Sequence, residues 1–248
     1  MSTTALARRE DSNLEVVIKY LFREGFSGAD ALDRVRNDTE TLCLVTDLRL
    51  ARVYAYRVGA RGIAVISEFV SGENLRQILS VVGSLGPSST LCLILECLQG
   101  IAALHEVGVA HRNLKPESVM ILPDGEVKLL GATLRGDIPA ETAYENDAYS
   151  VGALLIECLV GRPGSEISED ELSDRFGADA EAVESLLCVT RWAMTKSRTE
   201  QPLSAVRFIG LLDEWADAVL GPGWEERGKA GLAAAAQAVT PEAVPEKT

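Results

Sequence analysis

The sequence predicts an α+β fold in two lobes, a β-rich first lobe followed by a helical second lobe. Runs typical of strands lie in the first 70 residues and in one later hairpin, whereas helical spacing dominates the second half. The length of 248 residues suits one large domain or two small lobes. We place the lobes at residues 1–70 and 71–220, and we expect the Gly-, Ala-, Pro- and Glu-rich residues 221–248 to form a disordered tail.

The first lobe is predicted to contain three strands and one helix. The β-branched run at residues 15–21 predicts a strand, and apolar spacing over residues 29–44 predicts a helix. Residues 50–58 and 62–69 predict two more strands, joined by a Gly-containing turn.

The second lobe is predicted to be helical apart from one hairpin. A short helix is expected at residues 75–82, and Pro87 opens a long helix that ends near Glu106. The turn sequence Pro-Asp-Gly at residues 123–125 predicts a β-hairpin. Helical spacing then predicts three further helices, at residues 147–160, 180–195 and 204–219.

Composition and charge exclude several classes of protein. The formal charge of −13 argues against nucleic-acid binding and against docking on anionic membranes, because both require clustered Lys and Arg. No apolar run is expected to reach the ~20 residues of a membrane span, and the N-terminal residues lack the apolar core of a signal peptide. Five cysteines without a CxxC pair and only two histidines indicate buried free thiols in a cytoplasmic protein.

One motif connects this pattern to a known family. Residues 111–118 read HRNLKPES and are followed at once by the predicted hairpin. They resemble the catalytic loop H-R-D-L-K-P-x-N of eukaryotic-type Ser/Thr protein kinases. Four further segments match that family in the same order, namely VVIK at 16–19, ISEFVSG at 66–72, DAYSVG at 147–152 and GRP at 161–163. The resemblance covers roughly residues 4–219 and implies a bilobal protein-kinase-like fold.

The resemblance also shows which chemistry is missing. In this family a catalytic-loop Asp orients and deprotonates the acceptor hydroxyl, and that position is Asn113, whose neutral amide cannot take a proton. The family's Asn that ligates the second Mg²⁺ is Ser118, and the Asp of its D-F-G motif is Gly131. We therefore expect no intact catalytic residue and no metal site.

The positions that would contact a nucleotide are partly kept. No glycine precedes Gly25, so the Gly-rich loop over the phosphates is missing. Lys19 either contacts a nucleotide phosphate or pairs with Asp38, which is one methylene shorter than the usual Glu. Glu68 and Val70 offer the backbone groups of the hinge. We expect any ATP binding to be weak or metal-independent.

Three further positions are interpreted as structural. The resemblance implies that Asp147 accepts hydrogen bonds from the backbone of His111 and Arg112, and His111 is interpreted as a core histidine. The interval from Gly131 to Asp147 is about half of what the family needs for an activation segment. We expect this remnant to be an exposed loop.

We interpret the chain as a bacterial pseudokinase, a kinase fold kept as a regulatory or scaffolding module. Its short activation segment is similar to that of the pseudokinase domain of actinobacterial cell-wall lipid flippases. That likeness implies two partners, an active Ser/Thr kinase and a phosphothreonine reader such as a forkhead-associated domain. Thr142 and Thr240 are the candidate phosphorylation sites.

Two other interpretations remain open. An atypical Ser/Thr kinase could bind ATP through Lys19 and use an unexpected carboxylate, in which case ATP binding should depend on a metal. A small-molecule phosphotransferase of the antibiotic- or choline-kinase type needs its own catalytic and metal-binding Asp residues. That interpretation therefore fails at the same positions.

Overall fold

The computed structural model describes residues 2–10, 12–25, 31–132, 140–163, 167–196 and 204–239. Within these ranges the first lobe is a small antiparallel sheet with one packed helix, and the second lobe is mostly helical. The predicted α+β bilobal fold is therefore confirmed.

The described part of the first lobe has four strands and one helix. They are β1 (Ser2–Arg8), β2 (Glu15–Phe22), α1 (Ala31–Leu42), β3 (Val53–Gly59) and β4 (Gly62–Glu68). The strands form one antiparallel sheet in the order β1-β2-β4-β3. Strand β1 was not predicted, because its small polar residues lack the apolar alternation of a strand and are ordered by pairing with β2.

Helix α1 packs against one face of this sheet. Val35 of α1 is fully buried and joins Leu21, Ile63 and Val65 in a separate small core. Because strand residues alternate between faces, Lys19 and Leu21 of β2 lie on the same side as α1. This face forms the roof of the space between the lobes.

The second lobe contains seven described helices and a three-stranded sheet. They are α2 (Leu75–Val82), α3 (Pro87–Glu106), α4 (Ala140–Val160), α5 (Glu169–Phe176), α6 (Ala180–Lys196), α7 (Ala205–Val219), α8 (Trp224–Val239), β5 (Glu73–Asn74), β6 (Val119–Ile121) and β7 (Val127–Leu129). Local signals set several ends. Asn74 and Gln77 form a reciprocal cap on α2, Pro87 occupies the first turn of α3, and Gly125 adopts φ = 84° in the hairpin turn.

Helix α3 is the centre of the second lobe. Most of its residues are buried, and it contacts α4, α7 and α8. Among the described helices α3 alone is long and apolar enough to cross a membrane by length and composition, and 67% of that window is buried inside the fold. The expectation that no apolar run reaches this length is therefore wrong for α3, whose apolarity serves packing on several sides.

The expectation of a disordered tail from residue 221 is also wrong for residues 224–239. These residues form α8, which buries Trp224 and Leu232 against α3. A Cβ atom added at Gly228 would lie within 3.0 Å of the Ser88 carbonyl oxygen, so the two helix backbones approach closely. The Gly- and Ala-rich composition therefore serves close helix packing. Thr240 and the residues after it lie outside the described ranges.

Two further helix boundaries differ from the predictions. Helix α4 begins at Ala140, seven residues before the predicted start, so residues 140–146 are helical turns and not part of an exposed loop. Residues 133–139 lie outside the described ranges. Helix α5 was not predicted, because its acidic sequence carries one buried apolar side chain, Leu172, and its N-terminus is capped by Ser168.

Candidate functional site

A cleft of about 450 Å³ lies between the two lobes. Its roof comes from β1, β2 and β4, and its floor comes from the loop at residues 111–118 and from β7. Apolar side chains line most of it, among them Val17, Val53, Val65 and Val70. Such a lining suits a flat apolar group, with polar contacts supplied from the rim.

The lobes are joined by backbone as well as side-chain contacts at this cleft. Leu50 and Leu129 form a parallel bridge, with the Ala51 amide donating to the Leu129 carbonyl oxygen at 2.9 Å and the Leu129 amide donating to the Arg49 carbonyl oxygen at 2.7 Å. The Arg49 side chain also pairs with Glu96 of α3 at 2.7 Å.

Asp147 on α4 holds the loop beneath the cleft. Its two carboxylate oxygens accept hydrogen bonds from the backbone amides of His111 (2.7 Å) and Arg112 (2.8 Å), which confirms the predicted role. His105 donates to the same carboxylate at 3.0 Å. Arg112 adopts φ = 60°, a left-handed conformation that non-glycine residues rarely take. The hydrogen bond from its backbone amide to the Asp147 carboxylate helps to hold this conformation.

Asp38 does not pair with Lys19, so that predicted alternative is wrong. Its carboxylate accepts a hydrogen bond from the guanidinium of Arg112, whose side chain is 4% exposed. The short Asp side chain on α1 meets the long Arg side chain that rises from the loop below. An ion pair between the lobes therefore connects α1 to this loop, and the signal for it was the arginine of the HRN sequence.

Two of the three degenerate positions contribute to loop structure. Ser118 is buried, and its hydroxyl donates to the Lys115 carbonyl oxygen at 2.8 Å and accepts from the Lys115 amide at 3.0 Å. Asn113 lines the cleft, and its backbone amide donates to Nδ1 of His111. Gly131 adopts φ = 75°, which an Asp side chain would disfavour.

Lys19 and Lys115 both line the cleft, and neither ammonium lies within 4.0 Å of a carboxylate oxygen of the described residues. Burial lowers the pKa of Lys19, and the charge of Lys115 lowers it further. Glu117 is also at the rim, but its carboxylate is bonded to Arg76, which holds the pKa of Glu117 below its usual value. Among the described charged groups of the cleft, Glu117 and Glu68 are therefore paired with Arg76 and Lys128, whereas Lys19 and Lys115 have no ion-pair partner. Sequence reasoning missed Lys115 as a cleft residue, although it stands in the recognised motif.

The two hinge residues lie where the resemblance places them. Glu68 and Val70 both line the cleft, and Val70 is buried. The Glu68 carboxylate pairs with Lys128 of β7, and its backbone amide donates to the Arg52 carbonyl oxygen at 2.8 Å. The Glu68 side chain therefore joins the lobes rather than reaching for a ligand.

His111 is fully buried, as predicted for a core histidine. Burial lowers its pKa, and the nearby Asp147 carboxylate partly opposes this effect. Its Nδ1 accepts from the Asn113 amide, whereas its Nε2 has no hydrogen-bond partner among the described residues. The ring is therefore only partly satisfied.

The remaining predicted positions lie away from the cleft or outside the description. Thr142 is exposed in the first turn of α4, and Thr240 is not among the described residues. Within the described ranges, no group of three or more His, Cys, Asp or Glu side chains is arranged to hold a metal ion. The residues at the three degenerate positions do not fit Mg²⁺, because they offer a neutral amide, a hydroxyl bonded within the loop and no side chain.

Comparison with known proteins agrees with this geometry. The family model of the protein kinase domain matches residues 1–131. The chain is 28% identical over 185 residues to the serine/threonine-protein kinase PknL of Mycobacterium tuberculosis, covering 64% of this chain and 46% of that protein. It is 29% identical over 191 residues to PknA of Corynebacterium glutamicum, covering 65% and 41%. The chain therefore spans less than half the length of these relatives.

A solved structure shows the same fold. The crystal structure of Rad53 residues 1–466 in complex with AMP-PNP matches 96% of this chain and 62% of that chain, with a TM-score of 0.58 and 20% identity. At this identity the likeness concerns the fold. Together with the family model, which matches more than half of the residues, it shows that this chain belongs to the protein kinase domain family.

Proposed function

We propose that this chain is a kinase-like domain that does not transfer phosphate and that serves as a regulatory binding module in bacterial Ser/Thr kinase signalling. The observation that carries the proposal is the set of residues that line the cleft. Where phosphotransfer needs a carboxylate base and oxygen ligands for a metal, the chain offers Asn113, Ser118 and Gly131, and the free charges there are two lysines.

The missing groups account for a large loss of rate. A positioned general base contributes roughly 10²–10⁴-fold, and Asn113 has no basic group to replace it. Metal ions neutralise the charge that develops on the transferred phosphoryl group, and the cleft lacks the carboxylate of the D-F-G position. Since these parts act as a unit, restoring one of them does not restore the reaction.

The same cleft suits an anion bound without a metal. Lys19 and Lys115 would meet the phosphates of a nucleotide such as ATP, and an anion between them would relieve their mutual repulsion. The apolar roof would take the base. Nucleotide binding of this kind would stabilise the orientation of the lobes without chemistry.

Partners are part of the same proposal. The curated relatives above are bacterial Ser/Thr kinases, and an active kinase of this type would phosphorylate the module. Thr142 is exposed at the first turn of a 21-residue helix, where a phosphate is compatible with the helix dipole. A phosphothreonine reader such as a forkhead-associated domain would then bind the cytoplasmic module, and Thr240 is the second candidate site.

Phosphotransfer assays with radiolabelled ATP test the proposal directly. We expect the purified chain to label neither itself nor generic substrates in Mg²⁺ or Mn²⁺, while an active bacterial Ser/Thr kinase labels them in parallel. Asn113→Asp and Gly131→Asp should each remain inactive, because each returns one part of the machinery. Turnover that disappears on Lys19→Met would contradict the proposal and favour an atypical ATP-binding kinase.

A thermal-shift assay with ATP distinguishes a metal-independent binding module from an atypical ATP-binding kinase. A shift that is equal with and without Mg²⁺ supports a metal-independent binding module, because Asn113, Ser118 and Gly131 occupy the positions of the family's catalytic base and metal ligands. A shift that requires the metal would favour the atypical kinase, since the metal would then have to find a carboxylate in or near the cleft.

A further inference from the structure

Among the described residues, strand β1 has a pairing partner on one side of its backbone only. It forms the edge of the sheet and pairs with β2 in an unbroken register from Ser2 opposite Leu21 to Arg8 opposite Glu15. No described residue pairs with the other side of β1. An edge of this kind is a template for another strand.

The two edges of the sheet are built differently. Strand β3, at the opposite edge, has a register shift between Val53 and Ala55 and carries the charged Arg57, and both features discourage further pairing. Residues 2–7 of β1 contain no charge, proline, glycine or register shift. The β1 edge therefore lacks the usual protection against strand addition.

A second β1 strand in antiparallel orientation complements this edge. With Ala5 opposite its own copy, Thr4 of one chain faces Leu6 of the other, and Ser2 faces Arg8. No like charges stand opposite each other in this register. Leu6, which is 61% exposed in the single chain, gains a cross-strand neighbour on its own face.

The distribution of charge favours contact through this lobe. Residues 1–70 contain ten basic and ten acidic residues, whereas residues 71–248 contain fourteen basic and 27 acidic residues. The first lobe is therefore neutral, and the whole formal charge of −13 belongs to the rest of the chain. Two copies joined at β1 bring their neutral lobes together and keep the acidic lobes apart.

We propose that β1 is a self-association edge, at which two copies of this chain pair antiparallel about Ala5 to form one continuous eight-stranded sheet. The occupant is a second copy, because the register is self-complementary and the first lobe carries no net charge. The proposal concerns the sheet edge and does not depend on what the cleft binds.

Sedimentation equilibrium of the 248-residue chain across the micromolar range tests this proposal. We expect a reversible monomer–dimer equilibrium. Ala5 is exposed, so Ala5→Lys and Ala5→Glu should fold normally, as checked by thermal melting. Each places like charges opposite each other across the two-fold axis and should raise the dimer dissociation constant by about fivefold or more.

Mixing the two variants identifies the register. An equimolar mixture of Ala5→Lys and Ala5→Glu should recover association, because opposite charges then face each other. Val206→Lys, a matched charge change at a 64% exposed position of α7, should leave the equilibrium unchanged. A wild-type chain that stays monomeric, variants that associate like wild type, or a mixture no stronger than its components would overturn the proposal. So would a monomer whose β1 edge binds only an extended peptide from another protein.

Discussion

Two groups of charged side chains lie close together at the cleft and differ in how they are neutralised. Beneath the cleft, the Asp147 carboxylate accepts from His105 and from two backbone amides, and Arg112 is paired with Asp38. Inside the cleft, Lys19 and Lys115 form no ion pair with a carboxylate of the described residues, and the charge of Lys115 lowers the pKa of Lys19. The first group is bonded within the protein, and the second has charge to offer a ligand.

The difference indicates what each group is for. The bonded group fixes the backbone of the loop, including the left-handed Arg112, and Arg112 in turn forms an ion pair between the lobes. Lys19 forms no ion pair with the described residues, and burial together with the charge of Lys115 disfavours its charged form in the unliganded protein. The chain has thus kept the frame of a kinase loop together with two cations that suit an anion.

The largest effect is expected from Asp147→Ala. Removing the carboxylate leaves the amides of His111 and Arg112 buried without an acceptor, and it should lower the free energy of unfolding by about 3–5 kcal/mol. Asp147→Asn should lose less, because its amide oxygen still accepts. Urea denaturation measures both variants. If the Ala variant were as stable as the wild type, the side chains bonded beneath the cleft would not stabilise the fold, and the contrast with the cleft lysines would be wrong.

A smaller loss is expected from Asp38→Asn. The variant leaves the Arg112 guanidinium without its counter-charge and should cost about 1–3 kcal/mol, with faster amide exchange in α1. Asp33→Asn on the same helix is the matched control, since its ion pair with Arg36 is exposed and should contribute close to nothing. Similar effects of the two variants would show that the ion pair between Asp38 and Arg112 does not stabilise α1.

A change of opposite sign is expected in the cleft. Lys19→Met removes a desolvated cation that Lys115 repels, so the unliganded protein should melt about 1–3 °C higher. In a domain of this size, that shift corresponds to a gain of somewhat under about 1 kcal/mol in the free energy of unfolding. Lys128→Met should melt lower, because the Glu68 carboxylate loses its partner. Differential scanning calorimetry without ATP compares them. A lower melting temperature for Lys19→Met would mean that its charge is already compensated.

The smallest effect concerns pH. The pKa of Lys19 is lowered in the unliganded fold. Lys19 is fully charged below that pKa and loses its charge as the pH rises through it. The affinity for inorganic triphosphate should therefore be highest below that pKa and decrease above it. The decrease should begin at lower pH than an ordinary lysine gives. Lys115→Met should move the decrease to higher pH, because it removes one cause of the lowered pKa. Isothermal titration calorimetry over a pH series compares the wild type with Lys19→Met, and the same pH dependence in both would mean that Lys19 does not contact the anion.

Local signals were sufficient for much of the fold. The bounds of α3 could be predicted because Pro87 marks its first turn, and the hairpin followed from its Pro-Asp-Gly turn. The kinase-like loop and its support by Asp147 could also be predicted, because the motif carries them in consecutive or fixed positions.

What could not be predicted depends on contacts between distant segments. Strand β1 forms because it pairs with β2, and the sequence of β1 alone shows no strand pattern. The partner of Asp38 depends on how the lobes meet and on whether Arg112 or Lys19 can reach a short side chain. The cleft charge of Lys19 and Lys115 appears only when β2 and the loop are brought together.

The contact between α3 and α8 also restricts how this sequence can change over evolutionary time. A methyl group at Gly228 would collide with the backbone in the first turn of α3, and one at Gly125 would collide with the backbone of α8. A flexible linker of similar composition could exchange these residues freely. Here an exchange of Gly228 requires a compensating change in a separate segment, so the buried positions of α8 should diverge among relatives as slowly as a buried core does, despite a composition that resembles a spacer.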